Sequence, residues 1–204
     1  MLTVVDHGVG NIGSLASALR FLGATFEVTN DPASLRASSA VILPGVGAFQ
    51  AAAERLDALG LREPLCARVT DGLPILGVCL GMQLLFAGSE EGPGDGLGLL
   101  TGRCERLGAT PGAKVPHVGF DTVSYPEGTW LREELGAEAD YYFTHSYAVR
   151  TTDAAAVGRC GYDGGLVAVV EDWPVLGAQF HPEKSQTSGL KLLLAFVRRA
   201  TGAA

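Results

Sequence analysis

The run Leu73-Pro74-Ile75-Leu76, followed by Gly77-Val78-Cys79-Leu80-Gly81 and then Met82-Gln83-Leu84-Leu85-Phe86, leaves this chain few folds to choose from. The first apolar run reads as a strand, the paired glycines as a tight turn, and the second apolar run as a helix. This is the cysteine form of a nucleophile elbow, in which the side chain between the glycines is pushed out at the carboxyl edge of a sheet. A thiol at the start of a helix is surrounded by backbone N–H groups that favour the thiolate, its reactive form. The competing reading is a buried free cysteine beside two packing glycines.

The rest of the first half has the same rhythm. Leu2 to Asp6 reads as a strand, Ser14 to Leu22 as a helix closed by Gly23, Phe26 to Thr29 as a strand and Pro32 to Ala37 as a short helix. Ala40 to Leu43 reads as a buried strand, and Phe49 to Leu59 and Leu61 to Thr70 as helices. This βαβα order implies a parallel sheet with helices on both faces. Ligands on such sheets sit at the carboxyl ends of strands, where Cys79 and the loop Pro44-Gly45-Val46-Gly47 are expected. After the turn-rich stretch Ser89 to Gly96 the apolar runs shorten: Arg103 to Leu107, Tyr141 to Val149, Ala155 to Gly158, Leu166 to Val170 and Leu176 to Phe180. Their spacing predicts mainly antiparallel strands, closed by a helix over Gly189 to Ala200. With 204 residues and no repeat, low-complexity tract or linker, residues 1–204 are expected to form a single domain.

A second chemical signal stands near the end of the chain, in Phe180-His181-Pro182-Glu183. Residues two apart on a strand share a face, so Glu183 can hold one ring nitrogen of His181 while the other meets a nucleophile. Pro182 places the pair at a strand's end or edge. Cysteine, histidine and carboxylate together carry the logic of nucleophilic acyl transfer. The oxyanion formed in such chemistry needs preorganised donors, for which the backbone N–H groups of Leu80 and Val46 are the candidates. A rival motif is Gly8-Val9-Gly10-Asn11-Ile12-Gly13 after the first strand, which fits a dinucleotide fingerprint with Asp31 as the ribose-binding acid. That reading leaves Cys79, His181 and Glu183 without a use.

As a set, these segments resemble the class I, triad-type glutamine amidotransferases. Asp6-His7-Gly8-Val9-Gly10-Asn11, Pro44 to Phe49, Pro116-His117-Val118-Gly119, Phe143-Thr144-His145-Ser146-Tyr147 and His181 to Gln186 narrow the likeness to the glutaminase subunits of imidazole glycerol phosphate synthase. The likeness runs from Leu2 to about Val197. His7 stands where tyrosine is frequent, and Phe120-Asp121 where Trp-Asn is common. The resemblance implies an α/β amidotransferase fold with a largely parallel central sheet and additional antiparallel strands in the second half. It implies Cys79, His181 and Glu183 as the triad, with Gly47, Gln83, Glu91, Ser146 and Tyr147 around glutamine. It also implies a partner, a (β/α)8-barrel cyclase that uses the ammonia in histidine biosynthesis, with Asn11, His117, Tyr142 and Lys184 at the contact face. A glutaminase serving another acceptor, a Cys-His peptidase or thioesterase, and a binding module on the same fold are the alternatives.

Composition narrows the partners further. The net charge of −7 disfavours nucleic acid and a basic membrane face, and although 47% of residues are hydrophobic, no apolar run is long enough to cross a bilayer. Met1 to Asp6 reads as a first strand rather than a signal peptide, so a cytoplasmic location is expected. The four cysteines Cys66, Cys79, Cys104 and Cys160 and the four histidines are scattered, which indicates neither a disulfide framework nor a metal site. No cofactor is expected.

Overall fold

The computed structural model describes residues 1–108, 113–150 and 155–202. In chain order the elements are β1 (Leu2–Val5), α1 (Ile12–Phe21), β2 (Phe26–Thr29), α2 (Pro32–Ala37), β3 (Ala40–Gly45), α3 (Phe49–Ala58), α4 (Arg62–Thr70), β4 (Ile75–Cys79) and α5 (Leu80–Leu84). Then follow β5 (Gly88–Ser89), β6 (Arg103–Arg106), β7 (His117–Ser124), α6 (Trp130–Leu135), β8 (Glu138–His145), β9 (Tyr147–Val149), β10 (Ala155–Cys160), β11 (Leu166–Asp172), β12 (Val175–Ala178) and α7 (Gln186–Thr201).

A nine-stranded sheet runs β2-β1-β3-β4-β12-β11-β10-β7-β8, and a second sheet runs β5-β6-β9. The first five strands of that order pair in parallel, and antiparallel pairing starts at β12–β11. Alternation along each strand sends side chains to opposite faces. Val4, Ala40 and Ile42 join Leu15, Leu19, Leu192 and Phe196 of α1 and α7 in one buried cluster. Val5, Val41 and Leu43 join Phe49, Leu56 and Leu65 of α3 and α4 in the other. The largely parallel sheet with helices on both faces and antiparallel strands in the second half matches the expected architecture. Among the described residues no helix is long and apolar enough to cross a membrane.

Four local features differ from the sequence reading. Strand β7 and helix α6 are additions to it. In β7 the apolar Val118 and Phe120 face outward, at 56% and 53% exposure, while His117 is buried, so the hydrophobic pattern is inverted there and returns to normal only at the buried Val123. The stretch Tyr141 to Val149 is two strands in two sheets, separated at Ser146. Finally, β12 ends at Ala178, and Pro182–Lys184 form a turn of 3-10 helix, so strand alternation is not what brings His181 to Glu183.

Candidate active site

The parallel pairing of β4 with β12 sets the geometry. Ile75 lies opposite Val175 and Val78 opposite Ala178, so both strands deliver their carboxyl ends to the same edge of the sheet. Cys79 closes β4 there with φ +54° and ψ −110°, a conformation that costs a non-glycine residue energy and is held by its surroundings. The close approach of α5 to the sheet explains the flanking glycines. A Cβ on Gly81 would stand 1.8 Å from the Leu43 carbonyl oxygen, and one on Gly77 would stand 2.7 Å from Met82 Cα.

His181 lies just beyond β12. Its N–H donates to the Tyr142 carbonyl at 2.9 Å, and its own carbonyl accepts from the Ser185 hydroxyl at 2.6 Å. Ser185 Oγ in turn accepts from the Tyr142 N–H at 2.9 Å, so the histidine backbone is tied to β8. Pro182 begins the 3-10 turn with its φ already suited to it and carries Glu183 back over the ring. His181 Nδ1 then lies 2.9 Å from Glu183 Oε1, with both side chains 2% exposed. A carboxylate can only accept, so Nδ1 carries the proton and Nε2 is left to face Cys79. Among the described residues Nε2 has no partner in hydrogen-bond geometry. Burial works against an imidazolium here, but the nearby Cys79 sulfur and the Glu183 carboxylate outweigh it and push His181 up to about 9.

That balance has a measurable consequence if Cys79 and His181 work as a pair. The rate of thioester formation from glutamine should fall on the alkaline side near pH 9, as His181 loses the proton a leaving ammonia needs. Glu183→Gln removes a charge that raises this value, so the alkaline limb should move to lower pH and kcat should drop. A pH–rate profile of both forms checks this, and an unmoved limb contradicts the role of Glu183.

Cys79 and His181 line one cavity of about 290 Å3, together with Val46, Gly47, Leu80, Gln83, Glu91, Ser146 and Tyr147. All of the residues expected around glutamine are therefore gathered at one opening. Gln83 is 4% exposed rather than a surface helix residue, and its Nε2 donates to the Tyr147 carbonyl at 2.8 Å. Glu91 Oε2 accepts from the Phe49 N–H at 2.7 Å, which caps α3 and anchors the carboxylate at the cavity wall. The two oxyanion candidates differ. The Leu80 N–H begins α5 beside the thiol, whereas the Val46 N–H donates to the Val9 carbonyl at 3.1 Å and is occupied in this structure.

The four contact-face candidates also part company. Lys184 is exposed, with its Nζ 5.7 Å from the ring centre of the half-buried Tyr142, and Phe120 meets the same ring edge-on at 5.6 Å. Asn11 turns inward and donates from Nδ2 to Glu183 Oε1 at 3.3 Å. His117 is 3% exposed, stacked between Phe143 and Tyr162 with centroids 4.6 and 3.7 Å away, and so presents almost no surface of its own. Its Nδ1 lies 3.2 Å from His145 Nε2, and His145 Nδ1 donates to the Tyr147 carbonyl at 2.9 Å. Burial and the neighbouring His117 push His145 down to about 3, so it is neutral.

The scattered cysteines and histidines give no hint in the sequence of one further grouping. Pairing of β10 with β7 brings one ligand atom each of His117, Asp121 and Cys160 within 4.8 Å of one another. That spread exceeds the roughly 3.3 to 3.8 Å edges of a four-coordinate zinc shell. The dinucleotide reading finds no support at Asp31, whose carboxylate accepts from the Ser34 N–H at 2.8 Å and caps α2.

A family model described as glutamine amidotransferase class-I matches residues 3–199. The imidazole glycerol phosphate synthase subunit HisH of Methanothermobacter thermautotrophicus is 44% identical over 97% of this chain and 98% of its own. The chain belongs to the class I glutamine amidotransferases, in the HisH family. The corresponding HisH protein of Gloeobacter violaceus is 43% identical over 98% of this chain and 89% of its own. A crystal structure of a glutamine amidotransferase superposes with a TM-score of 0.78 at 21% identity, covering 98% of both chains. A glutamine amidotransferase from Thermotoga maritima does so at 0.63 and 17%, covering 97% of this chain and 82% of its own. At those identities the two structures speak for the amidotransferase fold alone. Three residues that hold the candidate triad escape sequence reasoning in that role: Asn11, Ser185 and Gln179. Asn11 and Ser185 stand inside recognised motifs, but nothing in their spacing reveals which atoms they reach.

Proposed function

We propose that this chain hydrolyses glutamine to glutamate and ammonia through a thioester on Cys79. The ammonia passes to a (β/α)8-barrel cyclase with which the chain forms imidazole glycerol phosphate synthase in histidine biosynthesis, in the cytoplasm. The reading treats residues 1–204 as one amidotransferase unit. Its main support is the presence of Cys79 and His181 on one cavity, with Glu183 hydrogen-bonded to the His181 ring, in a chain 44% identical to a HisH protein.

The Cys79 thiol gives its proton to His181 Nε2 and its sulfur attacks the side-chain amide carbon of glutamine, whose carbonyl oxygen becomes an oxyanion. On collapse the C–N bond breaks, His181 Nε2 gives its proton to the departing nitrogen, and ammonia leaves a glutamyl thioester. Neutral His181 then takes a proton from water, which attacks the thioester carbon and returns glutamate and the thiol. Glu183 keeps the imidazole in the required tautomer throughout. Glu91 is placed to meet the substrate ammonium. The Leu80 N–H serves the oxyanion directly. The Val46 N–H can join it only after release from Val9, so the isolated chain holds one donor where two are needed.

The exposed Val118 and Phe120, beside Tyr142 and Lys184, form an apolar patch with a cation at its rim and fit the docking face of the cyclase. Glutamate release by the chain alone is therefore expected to be slow. Adding the cyclase and its ribonucleotide should raise it on the order of a hundredfold, the usual worth of one oxyanion donor. Fast release indifferent to that cyclase would retain the glutaminase and assign it to another acceptor. Absence of glutamate in both conditions would return the site to the peptidase reading.

A further inference from the structure

Gln179 sits between β12 and His181, is fully buried, and is anchored to β11 by its N–H, which donates to the Ala168 carbonyl at 2.9 Å. Its side chain completes a run of amides whose direction is forced step by step. The Tyr147 carbonyl can only accept, so the Gln83 amide atom 2.8 Å away must be Nε2. That nitrogen has a second hydrogen and lies 3.1 Å from one amide atom of Gln179, which must therefore be Oε1. The remaining end of Gln179 is Nε2, 3.9 Å from Cys79 Sγ. The frame is firm at its origin, because His145 Nδ1 donates to the same Tyr147 carbonyl.

We propose that Gln179 is a positioning residue for the Cys79 sulfur: its amide N–H, aimed through Gln83 from the Tyr147 carbonyl, fixes the sulfur's direction and favours its anionic form. This rests on the reading of Cys79 as the glutaminase nucleophile. An N–H donor on the sulfur adds to the imidazole that lines the same cavity, so the thiolate would have two stabilising neighbours. A charge-assisted contact of this kind is worth more than one between neutral groups. Gln83 then has a second task besides lining the cavity, since its Nε2 is committed to this frame.

The test is the pH dependence of iodoacetamide alkylation at Cys79, followed by mass spectrometry, in the native chain, Gln179→Met and Gln179→Glu. Methionine keeps the volume and removes the donor. It should raise the alkylation midpoint by roughly one pH unit and lower kcat roughly tenfold with KM little changed. Glutamate at this position turns a carboxylate toward the sulfur and should raise the midpoint further. Unchanged midpoints in folded variants would overturn the proposal. Should neither variant fold, the native chain still decides. The Gln179 side-chain NH2 resonances should titrate with the alkylation midpoint and lose that titration in Cys79→Ala; signals flat across pH overturn the contact. Glutamate release by the native chain, measured alongside, separates the two levels. Release with unmoved midpoints removes only Gln179, whereas shifted midpoints without release keep the contact and remove the glutaminase.

Discussion

Cys79→Ala is expected to reduce glutamate release by more than about a thousandfold while leaving the fold in place. Two arguments support the size of the effect. Without the sulfur no thioester forms, and His181 Nε2, which faces the thiol with no partner in hydrogen-bond geometry, has nothing else in the cavity to activate. Alanine should be tolerated because the side chain is 4% exposed at the edge of the cavity, and because the φ of +54° strains alanine no more than cysteine. The melting temperature should therefore stay within a few degrees of the native value, corresponding to about 1 kcal/mol or less. Glutamate assays with and without the cyclase, paired with thermal melts, check both halves. Residual release above a tenth of the native rate in a folded variant would remove Cys79 from the chemistry.

Gly81→Ala should be the most damaging substitution that alters no reacting atom. The new Cβ would stand 1.8 Å from the Leu43 oxygen and 2.8 Å from its carbonyl carbon, both backbone atoms. Leu43 lies in β3, in register with Gly77 of β4, and β3 is also paired with β1 on its other side, so it cannot retreat without breaking sheet hydrogen bonds. The clash must instead push α5 outward and take Cys79 with it. About 3 kcal/mol or more of destabilisation is expected, with the melting temperature falling by roughly 6 to 12 °C and activity collapsing together with it. Gly13→Ala is the contrast: nothing lies within 4 Å of its Cβ, and an alanine inside α1 should be neutral or stabilising by about 0.5 to 1 kcal/mol. A Gly81→Ala chain as stable as native would show that α5 packs more loosely than these distances allow.

The elbow is legible in the sequence because Gly77 and Gly81 are sterically required where a short helix is laid against two strands. A pattern of residue types records that kind of constraint. The His181–Glu183 pair is legible for a reason that does not hold. Both a strand and a 3-10 turn can bring residues two apart together, and Pro182 fits the start of the turn better than the edge of the strand. Strand β7 is hidden because Val118 and Phe120 face outward and its two buried side chains include a histidine. The inward turn of Asn11, the burial of His117 and the engagement of the Val46 N–H with Val9 are beyond reach for another reason. Each is a contact between distant segments, and no local periodicity encodes it.

Strand β12 separates the parallel part of the sheet from the antiparallel part, and it also sets the order in which the site can come into being. A ribosome releases Cys79 with its elbow and helix long before His181 exists. Until β12 arrives, β4 lacks the neighbour it has on that side, and its apolar run Ile75–Cys79 lies open to any other extended segment. The nascent half-protein thus carries an adhesive border but no base for its thiol. One late event, the insertion of β12, removes both conditions, covering the border and bringing His181 to the cavity that Cys79 lines.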